Sequence, residues 1–377
     1  MKIVQVEAFP LCLPMKRDFA ISGGKVGDRA KGAPHVYVRI TDEEGYTGWG
    51  EARPSHRWSE ETLETVVTTV RNYLAPALAG QEVEDVEGAS RQMQGEIRGG
   101  MTLGQPIAKA AVDTALHDLI GKRRGQSLAQ IWLRRPCFTI PLSYLISTRS
   151  PEEAAKLARQ AKEEGYRGVD VKIGSDPRRD VEIVEAVRGE AGDLFFRVDA
   201  NQGYTLSQAR YVVRELVRLG VDVLEQPLAA HDWTGHAALR RQSDLPIALD
   251  ESVWTAGHVM QAIRLEACDM VVVKLTKMGG LQEAKRCGEI AAAAGLQLLG
   301  GGLTESSIGL AASAHLFHEL GIDTPVDLNG PFFLAEDPVR EPIIVQNGEA
   351  LLPAGPGHGC TVEMKALKKL AWSGDGT

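Results

Sequence analysis

Nothing in this chain suggests sulfur-bound metal, a membrane or nucleic acid. Its five cysteines (Cys12, Cys137, Cys268, Cys287 and Cys360) are scattered and odd in number, and no pair has metal-ligand spacing. That pattern argues against a disulfide framework and fits a reduced, cytoplasmic protein. No stretch approaches the ~18–20 apolar residues of a membrane span. The N-terminal run MKIVQVEAFPLCLPMKRDF alternates and holds two prolines, so it lacks the apolar core of a signal peptide. No membrane partner is expected. The net charge is −8, with no basic stripe to track phosphates, which argues against nucleic acid as a partner. Apolar residues at 44% and charged residues at 24% are ordinary for a soluble globular protein. A length of 377 residues suggests two domains, or one large domain with an addition.

Two textures divide the chain. Residues 1–52 read as strands: Ile3 to Leu13 alternates, and His35–Ile40 and Tyr46–Glu51 flank a polar turn at 41–45. Helical patterns follow at 59–79, 84–98 and 105–122, the last ending before Gly125. Residues 1–130 therefore form an α+β unit. From about 138 the texture becomes strand–helix alternation with a repeat of about 25 residues, as βα units require. Strands are predicted near 139–146, 168–173, 194–199, 221–225, 246–250, 269–274, 296–300 and 324–328, with helices such as 151–165 and 206–220 between them. Alternation of this kind means a parallel sheet. An open doubly wound sheet usually carries a glycine-rich phosphate loop after its first strand, and none follows Leu142-Ser143-Tyr144. The expected fold is thus α/β, a modified TIM (β/α) barrel over 131–350 with its eighth helix altered. The N-terminal α+β unit caps it, and the tail at 351–377 returns to that unit; the apolar-polar run 343–352 is read as part of the return.

Barrel strands are buried on both faces, so charges at their C-terminal ends are anomalous unless they face the active-site mouth. Five consecutive predicted strands end in a charge: Lys172, Asp199, Glu225, Asp250 and Lys274. The intervals are 27, 26, 25 and 24 residues, which is the barrel period, so the five should converge on one rim. A single carboxylate there is as readily a helix cap or an ion-pair partner. Three side by side are costly to bury unless a cation neutralises them. Oxygen ligands without His or Cys suit a hard cation, Mg²⁺ or Mn²⁺. Lysines flanking the triad could reach opposite faces of a substrate and act as bases.

Taken in order, Val198-Asp199-Ala200-Asn201, Leu224-Glu225-Gln226-Pro227, Leu249-Asp250-Glu251-Ser252 and Lys274-Leu275-Thr276-Lys277-Met278-Gly279-Gly280 resemble the signature stretches of the enolase superfamily. The subgroup is that of muconate lactonizing (cycloisomerase) enzymes, N-acylamino acid racemases and dipeptide epimerases, and the resemblance spans nearly the whole chain. It implies that Asp199, Glu225 and Asp250 hold Mg²⁺. It implies that Lys172, the second lysine of the family's Lys-x-Lys, and Lys274 are bases on opposite faces of a small-molecule carboxylate. Asn201, Gln226, Glu251 and Glu305 would support them. The α-proton leaves through an ene-diolate. Racemisation, epimerisation, cycloisomerisation and dehydration all share this step, with racemisation or epimerisation of an amino-acid derivative leading. The mandelate racemase type is set aside, because the seventh strand, Leu298 to Gly302, offers no histidine. A homo-oligomer is expected.

Two positions depart from the pattern. Asp170 replaces the earlier lysine of Lys-x-Lys; it should favour the charged form of Lys172, or meet a cationic substrate. The eighth strand offers Asp327 and Asn329 where dipeptide epimerases show Asp-x-Asp, which makes both candidate substrate contacts. Lys16–Lys31 reads as a mobile lid loop, and the loop at 52–59 offers His56 and Trp58 to substrate. Readings of another class are a Schiff-base lyase and a homologue that binds a ligand without turning it over.

Overall fold

The computed structural model describes residues 1–132 and 134–374. Its N-terminal unit is a three-stranded antiparallel sheet: Ile3–Leu13, Ala33–Asp42 and Thr47–Ala52, with the second strand central. Asp42 makes the turn between the last two. Its Oδ1 accepts from Glu44 N and Tyr46 N at 3.0 and 2.9 Å, and Gly45 takes φ +87°. The buried helix Pro106–Arg124 crosses this sheet. Pro106 opens it, Glu61 caps it by accepting from Ile107 N and Ala108 N at 2.7 and 2.9 Å, and Gly125 closes it at φ +64°. The helix approaches Thr47–Ala52 so closely that positions 48 and 50 must be glycine; a Cβ on Gly50 would lie 2.7 Å from Ala115 N.

Seven parallel strands form the barrel: Ser143–Ile146, Gly168–Lys172, Phe195–Asp199, Val223–Glu225, Ile247–Leu249, Met270–Val273 and Gln297–Gly300, in that spatial order. The eighth strand predicted at 324–328 survives only as two bridges, Val326 to Leu142 and Asp327 to Gly301, which join the sheet's edges. A four-residue helix, Gly330–Phe333, stands where the eighth helix would be. Local signals start the outer helices. Ser150, Asp176, Thr205, Asp232 and Thr255 each accept a first-turn N–H, and Pro151 and Pro177 take the first helical position. Helix Leu206–Arg218 buries Ala209, Val212, Val213 and Leu216, the stripe that docks on the sheet.

Three expectations shift. The segment at 139–146 divides, because Thr139–Pro141 pairs with the hairpin Val345–Gln346/Glu349–Leu351 in a separate antiparallel sheet. The run at 343–352 therefore stays with the barrel. The chain meets the N-terminal unit later: Leu128 N donates to Gly357 O, Cys12 N to Leu370 O and Trp372 N to Pro10 O. The segment at 16–31, read as a loop, contains a hairpin, Phe19–Ile21 with Gly24–Gly27. Ser22 Oγ donates to Asn201 O at 2.6 Å, Ser147 Oγ donates to Ala20 O at 2.8 Å, and Phe19 stacks on Phe333 with centroids 4.6 Å apart. No described helix is long and apolar enough to cross a membrane.

Candidate active site

Strand alternation places the charged residues. Val169, Val171 and Val198 face outward into the main core, while Val223, Ala248, Met270, Val272 and Leu299 form a separate apolar cluster inside the barrel. Glu225, Asp250 and Lys274 lie two residues above Val223, Ala248 and Val272, so all three face the barrel interior at its mouth. On the second and third strands the same alternation puts Asp170 and Arg197 beneath Lys172 and Asp199. Cross-strand register pairs Asp170 with Arg197, Lys172 with Asp199 and Asp199 with Glu225.

All five strand-end charges are brought together. Lys172 Nζ donates to Asp170 Oδ2 and Asp199 Oδ2, both at 2.8 Å, and to Asp327 Oδ2 at 3.3 Å. Lys274 Nζ donates to Asp250 Oδ2 at 2.6 Å and lies 5.0 Å from the Trp58 ring centroid. Burial opposes the charged form of Lys172, but Asp170, Asp199 and Asp327 outweigh it and hold the ammonium well above its ordinary pKa. The same balance raises Lys274, where burial is outweighed chiefly by the charges of Asp250 and Glu225. Glu225 is paired with Arg197 through Oε2, while its Oε1 is buried without a partner.

The proposed supports form a second layer. Gln226, at φ +36°, accepts from Asp250 N and Ser252 N through Oε1 at 2.9 and 3.1 Å, which fixes the loop carrying Asp250. Asn201 N donates to Asp199 Oδ1 at 2.8 Å, and its side chain donates to Glu251 Oε1 at 3.1 Å. Burial and then the Asp250 and Asp199 charges push Glu251 up to about 8. Glu305 accepts from Thr276 Oγ1 and Leu303 N at 2.8 and 2.7 Å, tying the sixth and seventh strand ends together.

A cavity opens above this cluster, bounded by Lys172, Lys274, Asp199, Asp327, Asn329 and Trp58. Phe19, Ile21 and Val26 of the hairpin at 19–27 also line it. His56 is exposed and does not line the cavity. Asp170 is fully buried under Lys172 and does not line it either.

The donor set suits a hard divalent cation, because three carboxylates from adjacent strands converge and Glu225 Oε1 has an unused lone pair in a dry site. Among the described residues no three Asp, Glu, His or Cys side chains stand in finished ligand geometry. Asp199 and Asp250 are turned instead to the lysines, and Glu225 to Arg197.

The sequence matches the family model for the enolase C-terminal domain-like fold over residues 153–366. It also matches that for the mandelate racemase / muconate lactonizing enzyme N-terminal domain over 15–132. The chain belongs to the enolase superfamily. An N-succinyl-L-Arg/Lys racemase of Bacillus cereus is 33% identical over 89% of both chains, and its crystal structure superimposes with a TM-score of 0.92 over 98% of both. Muconate cycloisomerase 1 of Rhodococcus opacus is 31% identical over 98% of both chains. A dipeptide epimerase from Cytophaga hutchinsonii, complexed with Mg and the dipeptide D-Ala-L-Val, is 29% identical with a TM-score of 0.89 over 98% of both.

Three buried cations escaped the reading of the sequence. Arg197 pairs with Glu225 and donates to Gly300 O at 3.0 Å across the barrel. Lys277 donates to Asp250 Oδ1 at 2.7 Å and to its carbonyl at 2.6 Å. Arg53 lines the cavity from the N-terminal unit. For Arg197 a signal existed: it stands two residues before Asp199 and so shares its inward face. Lys277 and Arg53 lie outside strands and carried no periodicity.

Proposed function

We propose that this chain is an Mg²⁺-dependent enzyme, with Mn²⁺ as a substitute, that removes the α-proton of a carboxylate substrate through an ene-diolate. Racemisation or epimerisation of an amino-acid derivative is the leading outcome. The observation that carries this is the cavity itself: Lys172 and Lys274, from the second and sixth strands, both line it with Asp199. Asp199, Glu225 and Asp250 would hold the cation. A bound cation would draw in the substrate carboxylate and stabilise the charge that grows as the proton leaves. Lys274, against Trp58, takes the proton on one face, and Lys172 serves the other. Asn201, Gln226, Glu251 and Glu305 fix the carboxylates and loops, Asp327 and Asn329 contact the substrate's polar groups, and the lid excludes water.

One observation favours the runner-up, a cycloisomerase or dehydratase on the same scaffold. Lys172 has in Asp170 a carboxylate partner outside the proposed metal ligands, whereas the ion-pair partner of Lys274 is Asp250, which would turn to the cation; Lys172 would then stay an ammonium, fit to serve as an acid while Lys274 alone abstracts the proton. We read residues 1–130 as the cap, 131–350 as the barrel and 351–377 as the returning segment, in a cytoplasmic homo-oligomer.

The test incubates protein and Mg²⁺ in D₂O with N-acyl amino acids, dipeptides, proline derivatives and muconates, and reads α-deuterium by mass spectrometry. Mg²⁺-dependent exchange should drop by roughly 10²–10⁴ in Lys274→Ala. Exchange that persists in both Lys274→Ala and Lys172→Ala refutes the assignment.

A further inference from the structure

The helices after the first five barrel strands supply their own N-caps: Ser150, Asp176, Thr205, Asp232 and Thr255. The helices after the sixth and seventh strands, Leu281–Ala293 and Ser307–Glu319, are capped differently. Gly280 and Ser306 stand at their cap positions, and both helices take a buried carboxylate from the N-terminal unit. Asp113 Oδ2 accepts from Leu281 N at 2.6 Å and from Gln282 N at 3.3 Å. Glu51 accepts from Ser306 N and Gly309 N, each at 2.8 Å. A helix start buried without acceptors leaves costly unpaired N–H groups, so these carboxylates do the work of the missing local caps.

The Asp113 cap sits one turn from a candidate base. The sixth strand ends at Val273, and only residues 274–280 separate it from the capped helix. That turn carries Lys274 and Lys277. Met278 N closes it on Lys274 O at 3.1 Å, and Gly280 N closes it on Leu275 O at 2.9 Å. Gly279 and Gly280 take φ +86° and +111°, where no side chain restrains the backbone, so the far end of the turn needs an outside anchor. Asp113 provides it. Its side chain fills the space beside Gly280, where a Cβ would overlap it. Asp113 is 2% exposed, in the middle of the buried 19-residue helix Pro106–Arg124, and His117 Nδ1 stands 3.4 Å from its Oδ2. Such a helix is a firmer mount than a turn with two consecutive glycines.

We propose that Asp113 is a positioning residue for Lys274: by capping the helix after the sixth strand from the N-terminal unit, it fixes the turn 274–280 and, with it, the lysine at the barrel mouth. This rests on the proposed reading of Lys274 as a base. Asp113 lies outside the cavity wall and acts through the turn. Without the cap the first turn of the helix opens and the two glycines absorb the movement. The Lys274 side chain then loses its fixed stand between Asp250 and Trp58.

The test acetylates amines of the Mg²⁺-loaded protein with sulfosuccinimidyl acetate and reads each lysine by mass spectrometry after digestion. It needs no substrate. Lys274 is 4% exposed, so it reacts through local opening. In Asp113→Ala it should react at least about fivefold faster than in wild type, the factor that a lost cap of typical strength gives, while Lys172 on the second strand keeps its rate. Asp113→Asn retains an acceptor oxygen and should label as wild type does. Asp232→Ala removes a local cap elsewhere in the barrel and should leave Lys274 unchanged. Circular dichroism checks each fold. If Asp113→Ala does not fold, Asp113→Ser, whose oxygen stops one bond short, takes its place. Unchanged labelling of Lys274 overturns the proposal. So does an equal rise at Lys172, which would make Asp113 a brace for the whole fold. In the D₂O assay Asp113→Ala should lower kcat by up to about 10²-fold and leave KM, as a misplaced base does, with Asp113→Asn restoring it; an undiminished kcat also overturns the proposal. A wild type that exchanges no α-proton strikes the reading of Lys274 as a base, while the labelling still decides whether Asp113 places it.

Discussion

Glu225→Gln separates two duties of one carboxylate. Among the described residues Glu225 is the only ion-pair partner of Arg197, whose Nη2 has no acceptor and whose side chain is fully buried. Breaking a buried pair by removing one charge costs about 3–5 kcal/mol, and Asp170 beside Arg197 favours the lower end. At roughly 2.1 cal/mol/K per residue, a chain of this length unfolds with an entropy near 0.8 kcal/mol/K, so the melting temperature in chelator should fall by about 4 °C. The second duty is the metal. Mg²⁺ at about 100 times its dissociation constant stabilises a one-site protein by about 2.7 kcal/mol, or roughly 3 °C on the same scale, and Glu225→Gln should lose most of that rise. Asp199→Asn supplies the contrast. Lys172 keeps Asp170 and Asp327 as partners, so this variant should melt within about 1 °C of wild type in chelator, yet also lose the response to Mg²⁺. Scanning calorimetry in EDTA and in saturating MgCl₂ reads both effects. Glu225→Gln melting with wild type in EDTA would refute the structural duty, and an undiminished Mg²⁺ rise would refute the ligand assignment.

Gly50→Ala should destabilise the fold by about 1–3 kcal/mol or more, because its methyl collides with the backbone of helix Pro106–Arg124; an unchanged urea midpoint would contradict that packing. Burial pushes His236, His315 and His358 down to about 4. His358 Nδ1 accepts from Cys360 N and its Nε2 donates to Trp49 O, an arrangement that needs the neutral ring. Below their ordinary 6.5 the unfolded chain binds more protons than the folded one. Stability is therefore intact above pH 6.5 and falls as pH drops towards 4, by up to about 1.4 kcal/mol per pH unit for each histidine. Urea midpoints that stay level between pH 7 and 5 would count against it. Phe19→Ala removes the lid's stack on Phe333, and steady-state kinetics should show KM rising more than kcat falls; an unchanged KM would mean the lid does not close on substrate.

Most of the barrel is legible in the sequence because its signals are local and periodic. Two-residue alternation, N-cap residues such as Ser150 and Thr205, and a charge at the end of five consecutive strands are all visible along the chain without tertiary contacts. The eighth strand is the exception. Apolar patterning at 324–328 does not report how many backbone hydrogen bonds form, and here Val326 and Asp327 bridge two edges by one pair each. Glycines and charges at 16–31 suggest a loop, and the hairpin's contacts with Asn201, Ser147 and Phe333 are distant in sequence and leave no local signal.

The sequence by itself determined the architecture and the five converging charges, because strand period and unit length are properties of the backbone, and a spacing of 24–27 residues returns each strand end to one rim. Only the tertiary structure decided how those charges are balanced. Arg197 beneath Glu225, Lys277 behind Asp250 and Asp170 under Lys172 set which groups are neutralised before any substrate arrives. It also decided that Arg53, from the other end of the chain, stands in the wall of the same cavity. Electrostatic energy depends on distance and burial in three dimensions, and neither is written in spacing along the chain.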